Sequence, residues 1–197
     1  MRTDEVLAMF ASAGALLSGH FQLSSGNHSD RYLQCALVTQ HPAAARRLAA
    51  ALAEAFAGKR IDAVLGPAAG GIVIAQEVAH ALADAGVTGV RAMFCERREG
   101  IMRLRRGFTL APGENVLAVE DVVTTGGSVR EAVDLARAQG ADVVGVGSFI
   151  DRSTEPVDLG APWHALARVE ARIYAPGECP LCRRGVPVVK PGSRGAS

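Results

Sequence analysis

The sequence predicts an α/β protein: a parallel β-sheet flanked by helices, with a small hood built from both chain ends. Across residues 61–150 short apolar runs alternate with stretches of helical period, which calls for right-handed strand–helix–strand units whose sheet is covered on its faces. Toward both ends that alternation weakens. Residues 1–40 and 151–197 are therefore expected to form an accessory layer on a core of about 41–150, within a single domain spanning 1–197. At 197 residues the chain is long enough for one full core. Its 49% hydrophobic and 21% charged residues fit a globular chain and exclude a disordered one.

Residues 3–13 read as a helix, with Thr3 as N-cap, Asp4 and Glu5 in the first turn, and Val6, Leu7, Met9 and Phe10 as its apolar side. Residues 20–34, HFQLSSGNHSDRYLQ, alternate around Ser-Ser-Gly and predict a hairpin. An alanine-rich helix is expected over 41–57, with Pro42 near its start and Gly58 beyond its end. A buried strand at 61–65 leads through GPAAGG into a helix at 72–83, and 90–95 is the next strand. Residues 97–108 show no clear period and are expected to form an exposed loop. Val116, Leu117, Ala118 and Val119 form another buried strand; beyond it Val129, Ala132, Val133 and Ala136 recur on one helical face. Residues 143–150 complete the core strands, and the tail 191–197 is expected to fray.

The chemistry concentrates at 116–128, VLAVEDVVTTGGS. Glu120 and Asp121 stand where the apolar run ends, followed by Val122, Val123, Thr124, Thr125, Gly126, Gly127 and Ser128 before the helix. A hydroxyl- and glycine-rich turn at a helix N-terminus offers backbone N–H groups to an anion such as a phosphate. The carboxylates beside it can accept hydrogen bonds from sugar hydroxyls, so the pair of features suits a ribose 5-phosphate. GPAAGG at 66–71 is a second turn of the same kind, and five arginines lie in ERREGIMRLRRG at 96–107.

The string at 120–128 resembles, almost letter for letter, the phosphoribosyl diphosphate (PRPP) signature of the type I phosphoribosyltransferases. The likeness to the orotate branch of that family runs from Phe21 to the Cys-Pro-Leu-Cys at 179–182. The resemblance implies a transferase that moves ribose 5-phosphate from PRPP to orotate in pyrimidine synthesis, with Mg²⁺ held mainly by PRPP. It assigns Glu120 and Asp121 to the ribose diol, 124–128 to the 5′-phosphate, and the turn containing Ala69 and Gly70 to the diphosphate. Arg97, Arg98, Arg103 and Arg105 match a mobile basic loop that serves a neighbouring subunit, which implies a homodimer. Arg152, Thr124, Ser24, Ser25 and Tyr32 fall on the orotate side, with Arg152 on the orotate carboxylate. Two departures stand out: Gly70 and Ser24 replace lysines of related chains, and the loop carries arginines in place of lysines and a histidine. The alternatives are a PRPP-dependent purine or uracil transferase, and a PRPP-sensing regulator on the same fold.

A net charge of +1 gives no global pull toward nucleic acid or an anionic membrane. No window reaches the apolar length of a membrane span, residues 1–20 do not read as a signal peptide, and a cytoplasmic enzyme is expected. Cys35, Cys95, Cys179 and Cys182 are expected to be reduced thiols. Cys179 and Cys182 have zinc-knuckle spacing, but zinc needs two more ligands, and Cys35, Cys95 and His164 show no partner spacing. A structural turn is the reading adopted. His20, His28, His41, His80 and His164 are scattered and, taken singly, structural or solvent-facing; Trp163 and Phe149 are expected in the core or an interface.

Overall fold

The structure, a computed structural model, describes residues 1–23 and 25–191; Ser24 and the expected fraying of 192–197 lie outside them. Six strands form the main sheet: β3 (Ala63–Pro67), β4 (Arg91–Arg98), β5 (Ile101–Leu104), β6 (Asn115–Val123), β7 (Asp142–Asp151) and β8 (Trp163–Arg168), after the N-terminal strands β1 (Leu16–Gln22) and β2 (His28–Leu33). Their spatial order is β5-β4-β3-β6-β7-β8, parallel except for the antiparallel edge strand β5. From β3 the chain first adds β4 on one side, then returns to add β6 on the other. The strand order therefore reverses between β3 and β6, which is where an open α/β sheet leaves a crevice at its C-terminal edge.

The helices follow from the apolar spacing. Pro42 opens α3 (Pro42–Glu54), which follows the short α2 (Ala36–Thr39). α4 (Gly70–Asp84) follows β3, and α5 (Gly127–Ala138) follows β6 with Val129, Ala132, Val133 and Ala136 all buried. Successive β6 residues face opposite ways, as a strand requires. Leu117 and Val119 join the layer of α3 and α4, whereas Val116 and Ala118 meet α5. β3 and α4 cross almost backbone to backbone: a Cβ on Gly71 would lie 2.8 Å from the Gly66 Cα. That contact explains why the GPAAGG turn ends in glycine.

Four expectations are corrected. The N-terminal helix α1 (Thr3–Ser12) is capped one residue earlier, by Arg2, whose backbone N–H donates to Glu5 Oε2 at 2.9 Å. The strand expected at 116–119 runs on to Val123, so Glu120 and Asp121 lie inside β6. Residues 97–108 are not an irregular loop: β4 and β5 pair as a hairpin, Arg97 opposite Met102 and Arg98 opposite Ile101. Its two-residue turn is Glu99-Gly100, with φ of 52° and 80°, the all-positive φ that a tight hairpin turn demands. The core does not stop at Ile150, because β8 adds a parallel edge strand beside β7.

The remaining pieces come from both ends. β1 and β2 form an antiparallel hairpin extended by β9 (Ile173–Tyr174). After β9 the chain makes a helical turn, α6 (Pro180–Arg183), and returns along β1, where Val189 N–H donates to the His20 carbonyl at 2.8 Å. Val6 and Phe10 of α1 are buried in the same cluster as Leu166 and Ala167 of β8.

Candidate active site

At the C-terminal ends of β3 and β6 lies a cavity of about 410 Å³, walled by residues 33–36, Ala69, Gly70, Asp121, Val122, Thr124 and Arg152. It sits where the strand order reverses. A larger depression of about 660 Å³ lies between α3 and α4, but none of the predicted site residues lines it.

Asp121 reaches this crevice from inside β6, its Oδ1 accepting the Val122 N–H at 2.8 Å. Glu120 accepts the Asp121 N–H at 3.2 Å. Burial raises the pKa of both carboxyls, and the adjacent negative charge adds to the rise at Glu120, which is pushed up to about 9. Gly70 faces Asp121 so closely that a Cβ there would lie 2.6 Å from Oδ2. The space a lysine stem would need at position 70 is thus taken by the carboxylate.

Past β6, Gly126 takes a left-handed φ of 76° and caps α5, and its carbonyl accepts the Arg130 N–H at 2.8 Å. The first amides of a helix have no partner within it, so the turn at 124–128 points donors and the positive helix end toward an incoming anion. A Cβ at Gly126 would also lie 2.6 Å from Val157 Cγ1. Both the conformation and the space there are reserved for glycine.

Arg152 follows β7 and closes the opposite wall. Its Nε is buried and has no hydrogen-bond partner among the described residues. Desolvation lowers its pKa, the mark of a cation held out of water without a full counter-charge. Tyr32 stands behind this wall, its hydroxyl donating to Gln34 Oε1 at 2.9 Å. Gln34 and Cys35 line the cavity although the sequence reading did not single them out. Gln34 ends the alternating HSDRYLQ run, and that position was the available signal.

The structure thus brings together Ala69, Gly70, Asp121, Val122, Thr124 and Arg152. Val123 is buried against α5, and Ser25 is exposed in the β1–β2 turn, away from the cavity wall. The hairpin arginines do not line the cavity either. Arg97 pairs with Glu131 at 2.6 Å, Arg98 with Glu99 at 3.6 Å and Arg105 with Glu96 at 2.7 Å. Arg103 is exposed and makes no ion pair among the described residues.

With this geometry in place, comparison with known proteins is decisive. The phosphoribosyl transferase domain family matches residues 36–170, which span β3 to β8 and both turns of the crevice. An orotate phosphoribosyltransferase of Pelotomaculum thermopropionicum is 54% identical over 194 residues, covering 98% of this chain and 99% of that one. The chain belongs to the orotate phosphoribosyltransferase family. A relative of the same name from Carboxydothermus hydrogenoformans is 52% identical, covering 96% of this chain and 97% of its own. Among solved structures, the Mycobacterium tuberculosis orotate phosphoribosyltransferase in complex with inorganic phosphate superimposes with a TM-score of 0.65 at 25% identity, covering 84% of this chain and 95% of that one. A phosphoribosyltransferase from Corynebacterium diphtheriae gives 0.68 at 28% identity over 84% of this chain and 95% of its own. No helix among the described residues is long and apolar enough to cross a membrane.

Proposed function

We propose that the crevice transfers ribose 5-phosphate from PRPP to orotate, giving orotidine 5′-monophosphate and pyrophosphate. The observation that carries the choice of base is Arg152: a buried guanidinium with an unpartnered Nε, in the same cavity as Asp121 and Thr124. A planar guanidinium takes a carboxylate bidentately, and orotate has that carboxylate while purines and uracil do not. Asp121 and Glu120 accept the ribose hydroxyls. As the bond from the anomeric carbon to the diphosphate breaks, the sugar becomes oxocarbenium-like, and the negative charge shared by the Glu120–Asp121 pair stabilises it. Residues 124–128 hold the 5′-phosphate through backbone N–H groups, while Ala69 and Gly70 face the diphosphate.

The donor set suits Mg²⁺ in one respect: Asp121 offers hard carboxylate oxygen at the cavity wall, beside where the diol and diphosphate would supply the remaining ligands. Mg²⁺ held there would supply positive charge to offset that of the leaving diphosphate. The β4–β5 hairpin serves the crevice of a second copy in a homodimer. That reading is supported by the hairpin arginines lying off their own cavity wall and by the exposed Arg103, which makes no ion pair among the described residues.

The test is depletion of orotate absorbance after adding PRPP and Mg²⁺, with hypoxanthine, adenine and uracil as parallel acceptors. Consumption of orotate alone supports the proposal. Turnover of a purine or of uracil with orotate untouched would refute it.

A further inference from the structure

Away from the crevice, the two chain ends bring the Cys179–Cys182 pair together with two histidines of the N-terminal hairpin. His20, His28, Cys179 and Cys182 place one donor atom each within 4.8 Å of one another. His20 Nε2 lies 3.5 Å from Cys179 Sγ and 3.6 Å from Cys182 Sγ, and His28 Nδ1 lies 3.2 Å from Cys182 Sγ. The two imidazole nitrogens are 2.8 Å apart. We propose that these residues form a structural zinc site of the Cys₂His₂ type.

The distances favour this over a chance cluster. Zn–S bonds of about 2.3 Å and Zn–N bonds of about 2.0–2.1 Å put tetrahedral S···N edges at about 3.5 Å, close to the separations found here. A plain imidazole–imidazole hydrogen bond would account for the short N···N distance. It gives no reason for both thiols to converge on the same nitrogens.

The tautomer is fixed from outside. His20 Nδ1 lies 2.7 Å from the Val186 carbonyl, which can only accept, so that nitrogen carries the proton and Nε2 keeps its lone pair toward the sulfurs. A ligating histidine held through its other nitrogen by a backbone carbonyl is the usual outer support of a zinc site. Two thiolates would balance the charge of one Zn²⁺. With four protein donors the coordination shell is closed, which is the mark of a structural site and leaves no position for substrate.

The backbone explains how the ligands meet. An irregularity in the β1–β2 register falls between Ser18 and Phe21, and His20 and Phe21, adjacent in β1, are both buried. A bulge of this kind re-aims a side chain inward. His28 opens β2 just beyond the hairpin turn. Cys179 and Cys182 flank the start of α6 with the two-residue spacing of a zinc knuckle. The partner spacing missing from Cys35, Cys95 and His164 belongs to the histidines of the hairpin, more than 150 positions from the cysteines. The metal would thereby fasten the C-terminal segment to the turn end of the β1–β2 hairpin.

The test is elemental analysis of the full chain, made without an affinity tag and purified without chelator. About one zinc per chain is expected, falling below about 0.1 in the Cys179→Ser/Cys182→Ser variant. Cys95→Ala and Asp121→Asn should keep their metal, which separates this site from the transferase crevice. Should the double serine variant fail to fold, the unmodified chain still decides: exchange of zinc for Co²⁺ should give thiolate-to-cobalt charge transfer and the visible bands of a tetrahedral ion. Folded chain with no stoichiometric metal and no such spectrum would overturn the proposal. So would an intact mass showing Cys179 and Cys182 joined as a disulfide.

Discussion

Arg152 on the cavity wall and Glu120 in β6 are both held out of water, and each makes a measurable prediction. Losing a charge-assisted hydrogen bond in a desolvated site costs about 1.5–3 kcal/mol, so Arg152→Ala should raise the orotate KM about 10- to 100-fold. The KM for PRPP should stay near its original value; steady-state kinetics with each substrate varied in turn distinguishes the two. Glu120 makes a prediction of the opposite sense. Its carboxyl rises from an ordinary 4.5 to about 9 on folding, so the protonated form is favoured by the fold. That contribution is fully present below the ordinary carboxylate range and is lost as pH rises through 9. Glu120→Gln should therefore flatten the decline of ligand-free stability between about pH 5 and 9 while lowering turnover, as denaturant titrations across that range would reveal. An unchanged pH slope would mean that the carboxyl is not held out of water. Glu120 and Asp121 were legible because two acids end an apolar run. Gln34 and Cys35 were not, since nothing in a local pattern says which side of a hairpin faces a distant strand.

Elements were legible in proportion to how cleanly burial imposes a period. β6 and α5 showed through because one is buried on both faces and the other along a single stripe. The β4–β5 hairpin did have a period of two, with Met102 buried between exposed Ile101 and Arg103, but the density of arginines masked it. β8 was missed for a similar reason: its edge position leaves Trp163 and Ala165 only half-buried, and His164 and Arg168 interrupt the apolar signal. At the join of β6 and α5, Gly126 meets two demands at once, a left-handed backbone and no room for a Cβ beside Val157. Gly126→Ala should cost at least about 1–2 kcal/mol from the backbone alone, with the steric clash adding to it. Thermal or denaturant unfolding measures the loss. Equal stability of the alanine variant would show that the turn relaxes freely.

For the whole molecule, the decisive experiment on assembly mixes two impaired chains. Asp121→Asn keeps an intact hairpin, while Arg103→Ala/Arg105→Ala keeps an intact crevice. If hairpins act across a dimer, random exchange should restore activity toward about a quarter of the unmodified level, because half the dimers are mixed and each owns one complete site. If each hairpin serves its own crevice, no mixed dimer has a complete site, and activity stays low after exchange is verified by mass. Long-range pairing was the part of this molecule least open to reading. His20 and Cys179 meet across 159 positions, and no local pattern records such a meeting.

The clasp between the two chain ends has a consequence for the order in which the molecule can be completed. Synthesis runs from the N-terminus, yet α1 needs the apolar side chains of β8, and β1 needs the backbone of Val189. Residues 1–33 therefore emerge early and wait until β8 and Val189 have left the ribosome. Until then Val6, Phe10 and the hairpin present apolar surface and open strand edges to whatever else is near, a hazard that grows with the length of chain separating partners. Slowing translation between the codons of β2 and those of Val189 would lengthen this exposed interval without altering a single native contact. Yield of soluble chain, rather than stability once folded, is the quantity that should fall.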